Sequence, residues 1–69
     1  MLEWIKIRDE ETCEVYHELY DHNVSDTVVT IRQDKRQFRV QILDRVPFHT
    51  KRLNTAKSAS QHIYEQTCT

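Results

Sequence analysis

Apolar and polar residues alternate along most of this chain. In Leu2-Glu3-Trp4-Ile5-Lys6-Ile7-Arg8, Ile5 and Ile7 share one face and Trp4, Lys6 and Arg8 the other. That period of two is the pattern of a half-buried strand. From Cys13 to Asp21 two readings compete. As a strand, Cys13, Val15, His17 and Leu19 share a face opposite Glu14, Tyr16, Glu18 and Tyr20. As a helix, Thr12, Val15, Tyr16, Leu19 and Tyr20 form one stripe, with Asp9 as N-cap. The Cys, Val, Tyr and His content favours the strand. The β-branched run Thr27-Val28-Val29-Thr30-Ile31-Arg32 is the clearest strand. After the polar Gln33-Asp34-Lys35-Arg36, Phe38, Val40 and Ile42 alternate with Gln37, Arg39, Gln41 and Leu43, which predicts a hairpin built on an Asp-containing turn. Pro47 ends that strand, because proline cannot donate to a ladder. Leu53, Ala56, Ala59, Ser60, Ile63 and Tyr64 then recur at helical spacing, with Thr50 or Asn54 available as cap. Thr67-Cys68-Thr69 reads as a frayed tail.

These elements predict one α+β domain over residues 1–69. A three- or four-stranded antiparallel meander, with strands about 2–8, 13–21, 27–32 and 37–44, packs on one C-terminal helix over about 52–65. The expected core is Ile5, Ile7, Val15, Leu19, Val29, Ile31, Phe38, Val40, Ile42, Leu53, Ala56, Ala59 and Ile63. One helix covers one face of a sheet. The other face is expected to carry Trp4, Lys6, Tyr16, Tyr20, Val28, Thr30, Arg32, Arg39, Gln41 and Leu43.

Composition narrows the chemistry. The chain has 69 residues and no glycine, so a phosphate-cradling loop, a nucleophile elbow and an Asn-Gly turn are excluded. No apolar run approaches the ~18 residues of a membrane span. The first residues lack the basic and apolar regions of a secretory leader, which points to the cytoplasm with reduced thiols. The net charge of −1 hides an asymmetry. Residues 1–31 hold two basic and eight acidic side chains, a net of −6, whereas residues 32–52 hold seven basic and two acidic, a net of +5. Pairing of acidic with basic strands within one sheet accounts for this; so does a contact with a partner.

No set of residues converges on catalysis. Asp9, Glu10 and Glu11 are consecutive and splay around a turn rather than facing each other as acid and base. Cys13, His17 and His22 follow a C-x3-H-x4-H spacing without the paired short-range ligands of a zinc site. Cys68 in the tail could pair with Cys13 or with another chain under oxidising conditions. The expectation is therefore a non-enzyme with no metal and no cofactor.

Two binding readings remain. In the first, the chain is a small protein-binding module, a regulator or inhibitor of phage or mobile-element type. It acts through Trp4, Tyr16, Tyr20, Arg32, Arg39 and Gln41 on an open sheet face, with a homodimer as a further option. In the second, the hairpin over 31–45 enters the DNA major groove, and Arg36, Arg45, Lys51 and Arg52 touch phosphate. The order of strands and helix, with Phe48-x-Thr50 leading into a helix bearing Ala56 and Ala59, loosely resembles the arm-binding domains of phage and transposon integrases. Those domains are similar in outline to plant ethylene-response-type DNA-binding domains. The resemblance spans roughly Val15 to Gln66, and it implies that Arg32, Arg39 and Gln41 face the groove.

Overall fold

The computed structural model describes residues 1–67. Five strands, β1 (Leu2–Arg8), β2 (Val15–Asp21), β3 (Asp26–Asp34), β4 (Gln37–Ile42) and β5 (Phe48–Thr50), precede one helix, α1 (Leu53–Thr67). The strands form a single antiparallel sheet in the order β1-β2-β3-β4-β5, so each pairs with its neighbour in sequence. The fold is α+β, an antiparallel meander packed on one C-terminal helix.

The segment over 10–21 resolves as a turn and a strand. Asp9 to Glu14 close the β1–β2 connection: the Asp9 N–H donates to the Glu14 carbonyl at 2.8 Å. The Asp9 carboxylate accepts from the Glu11 N–H at 2.9 Å, which is how Asp imitates a backbone turn. A fifth strand was not expected. Pro47 interrupts the ladder, but Phe48, His49 and Thr50 resume it against Val40, Arg39 and Phe38. β4 stops at Ile42, two residues before the expected end, because Leu43 turns into left-handed backbone at φ 48°.

The core lies between the sheet and α1. Leu19, Val28, Val29, Ile31, Val40, Ile42, Ala56 and Tyr64 form it, and Leu2, Trp4, Phe38, Phe48, Leu53 and Ile63 pack around them. Each fully buried aliphatic side chain contributes about 1.5–3 kcal/mol. Two cross-strand rows face the helix. One is Lys6, His17, Ile31, Val40 and Phe48; the other is Trp4, Leu19, Val29 and Ile42.

This register corrects the expected core. β1 is inverted: Trp4 packs against α1, while Ile5, 37% exposed, lies on the opposite face with Ile7. Both phases of Leu2–Arg8 carry apolar residues, so alternation alone does not choose. Trp4 settles the phase because its indole N–H reaches Gln61 Oε1 on α1 at 3.0 Å. Val15 sits at the exposed start of β2. Val28 is buried because the β2–β3 register shifts between Leu19 and Tyr20, opposite Val29 and Thr27. Val28 is the extra residue of that bulge, and it turns inward beside Val29. Leu43 lies in a turn beyond the sheet rather than on its open face.

Helix α1 has no acidic residue in its first turn and no basic residue in its last. Neither expected cap serves an N–H: Thr50 Oγ1 donates to the Arg52 carbonyl, and Asn54 lies inside the helix. Packing therefore holds the helix more than its ends do. Ala56, Ser60 and Tyr64, four residues apart, are its buried stripe. The Ser60 hydroxyl donates to the Ala56 carbonyl at 2.6 Å, so this polar group is buried at little cost. The expected Leu53, Ala59 and Ile63 are half-buried at its flanks.

Candidate functional site

Because one helix cannot cover both sides of a five-stranded sheet, the second face stands open to solvent. Its composition follows from the register. One row runs Ile7, Tyr16, Arg32, Arg39 and His49 across all five strands. The next runs Ile5, Glu18, Thr30 and Gln41. Glu3, Tyr20 and Thr27 follow at the far end.

Of the expected site residues, Tyr16, Tyr20, Arg32, Arg39 and Gln41 come together on this face. Trp4 does not. It lies on the helix side, bonded to Gln61 and with the Lys57 ammonium 5.5 Å from its ring centre. Trp4 anchors α1 to the edge of the sheet instead of displaying itself beside the tyrosines. Sequence reasoning missed Ile5, Ile7 and His49 on this face, whereas Glu18 lies beside Tyr16 and Tyr20 as the strand reading of β2 places it. Ile5 and Ile7 follow from the phase of β1. His49 arrives only with β5, whose signal was the apolar-polar alternation of Phe48-His49-Thr50 after Pro47.

Arg32 is the most constrained cation of the face. Its guanidinium lies 4.3 Å from the Tyr16 ring centre and 3.9 Å from Glu14 Oε2. His49 Nε2 is 3.5 Å from Asp34 Oδ2. Both pairs are exposed, and such pairs contribute about 0–1 kcal/mol. Gln41 is committed to the chain itself: its amide donates to the carbonyls of Leu43 at 3.0 Å and Arg45 at 2.6 Å, holding the β4–β5 loop. Arg45 is tied to Thr67 Oγ1 at 3.0 Å. Arg36 sits in the β3–β4 turn, and Lys51 and Arg52 in the β5–α1 connection, all exposed. The four residues expected to touch phosphate are thus dispersed over three connections and do not converge with Arg32 and Arg39.

At the opposite end of the face, Glu3 Oε1 is 2.9 Å from His22 Nε2, and Tyr20 meets the His22 ring edge-on at 4.8 Å. On the helix side His17 is held below its ordinary value of 6.5, first by burial and then by the nearby Lys57 and Lys6. Cys13 is a free, exposed thiol at the β1–β2 turn, and Cys68 with its expected pairings lies outside the described residues. Among the described residues, no three His, Cys, Asp or Glu side chains are grouped to hold a metal ion. No helix among them is long and apolar enough to cross a membrane. The chain matches no known family model, no curated protein and no solved structure.

Proposed function

We propose that this protein is a non-enzymatic binding module that docks a partner protein on the open face of its sheet. The observation that carries this reading is the makeup of that face. Ile5, Ile7, Tyr16 and Tyr20 supply apolar and aromatic area beside Arg32 and Arg39. Tyr and Arg are enriched among residues that dominate protein interfaces, and an immobilised Tyr loses little entropy. A module of this kind regulates or inhibits by occupying the surface it binds.

The test is capture from native host extract with the tagged chain, after nuclease treatment. A Tyr20→Ser, Arg39→Gln double variant should lose the captured protein. A Lys57→Gln variant, altered on the helix side, should retain it. Equal capture by wild type and the double variant rejects the face.

A second reading draws on the β3–β4 hairpin, which carries Arg32, Arg36 and Arg39 and has the two-stranded shape that fits a major groove. It requires retardation of duplex DNA that weakens steeply with salt.

A further inference from the structure

We propose that Arg32 and Arg39 form a carboxylate-binding site, so that the partner's contribution to the open face is a single Asp or Glu side chain flanked by apolar residues. This inference rests on the reading of that face as a docking surface and names its chemistry. The two arginines lie directly opposite each other on β3 and β4. Like charges at directly opposed positions destabilise a sheet. On its other side Arg39 lies opposite His49. Arg32 and His49 each have a carboxylate within 4.0 Å, whereas Arg39, between them, has neither a hydrogen bond nor an ion pair among the described residues. An anion placed between the two guanidinium groups offsets that like-charge opposition and gives Arg39 the partner it lacks among the described residues.

The surface has room for one. Thr30, Arg32, Arg39 and Gln41 line a recess of about 230 Å³. These four are two adjacent opposed pairs, so the recess is a product of the register. The Gln41 amide donates to Leu43 and Arg45, which leaves the guanidinium groups and the Thr30 hydroxyl as the donors facing an occupant. Tyr16 and Glu14 hold the Arg32 plane in place before anything binds, which lowers the ordering cost of a bidentate contact.

The surroundings favour a carboxylate on a polypeptide over a nucleic acid. Glu18 lies beside this quartet on the same face, Glu14 just before β2 is 3.9 Å from Arg32, and Asp34 ends β3. A duplex presents a negative charge about every 1.7 Å and meets all of them at once. An isolated Asp or Glu side chain meets the arginines alone, and its apolar neighbours meet Ile5, Ile7, Tyr16 and Tyr20.

The test uses a short fluorescein-labelled peptide with one central Glu and Leu two residues to either side, its counterpart with Gln in place of Glu, and a labelled DNA duplex, each titrated with the full chain. The Glu peptide should bind about tenfold more tightly than the Gln peptide. Arg39→Gln should abolish that preference, and Tyr20→Ser should weaken both peptides alike. Arg39→Gln should also raise the melting temperature, because it removes a like-charge neighbour; an arginine with a structural role would lower it. Equal binding of the Glu and Gln peptides overturns the carboxylate site while leaving the docking face standing. Failure of both peptides to bind overturns the site as well, and the extract capture then decides the face independently. Tighter binding of the duplex than of the Glu peptide overturns it in favour of nucleic acid.

Discussion

Among the described residues, four other than glycine hold left-handed backbone: Cys13 at φ 60°, Ser25 at 56°, Lys35 at 58° and Leu43 at 48°. Each stands in a connection between strands, where most chains would place glycine. With none in the sequence, the turns rely on side chains with a Cβ, at about 1 kcal/mol or more apiece. Lys35 is the first of the two residues linking β3 to β4, and it alone of that pair has positive φ, where glycine is favoured. Lys35→Gly should therefore stabilise the fold by about 1 kcal/mol, seen as a higher urea midpoint with an unchanged slope. His17 acts in the other direction. A folded value held below 6.5 means that the unfolded chain takes up the proton first. Stability is full above pH 6.5 and falls as the pH drops from there through the folded value. His17→Gln should flatten that part of the dependence, measured by thermal unfolding between about pH 7 and about pH 5. Lys57→Gln should raise the His17 titration midpoint in an NMR titration.

Among the elements, α1 meets the sheet through a charge-assisted hydrogen bond that packing arguments would not supply. The Tyr64 hydroxyl donates to Asp21 Oδ2 at 2.6 Å, and Asp21 is 5% exposed. Its other oxygen accepts from the Asn23 N–H at 2.9 Å and shapes the β2–β3 turn. Asp21 is held below its ordinary 3.8, first by the Tyr64 hydroxyl and then by the Asn23 N–H, against the opposing effect of burial. A lowered value contributes stability that is present above pH 3.8 and lost as pH falls through the folded value. Tyr64→Phe should raise the Asp21 titration midpoint, lower the melting temperature at neutral pH and reduce the acid sensitivity that remains. At this scale the sequence was legible where one phase was apolar and the other polar. β3 and β4 show that pattern, and so does the spacing of α1. It was ambiguous in β1, where Leu2 and Trp4 compete with Ile5 and Ile7, and the decision came from Gln61 and Lys57 far along the chain. Strict alternation assigned Val28 to the open face; only the partner strand shows that it is the extra residue of a bulge and turns inward beside Val29.

For the whole molecule, the contrast between an acidic first half and a basic middle sits mainly in the connections. Asp9, Glu10, Glu11 and Glu14 crowd the β1–β2 turn, while Arg36, Arg45, Lys51 and Arg52 lie in the connections after β3. The open face was foreseeable from element counting, since one amphipathic helix leaves one side of a sheet bare. Its central arginine pair was legible as two residues but not as an opposed pair, because register depends on the Lys35-Arg36 turn. The meander has a consequence during synthesis. Each strand pairs with the one made just before it, so the ladder can assemble as the chain emerges. Helix α1, which shields the apolar side, is translated after all five strands. At roughly 5–20 residues per second, about one to three seconds separate completion of β5 from completion of the helix. For that interval Leu19, Val29, Ile31, Val40 and Ile42 are without the cover they have in the finished fold, and the bare apolar face is open to stray contacts.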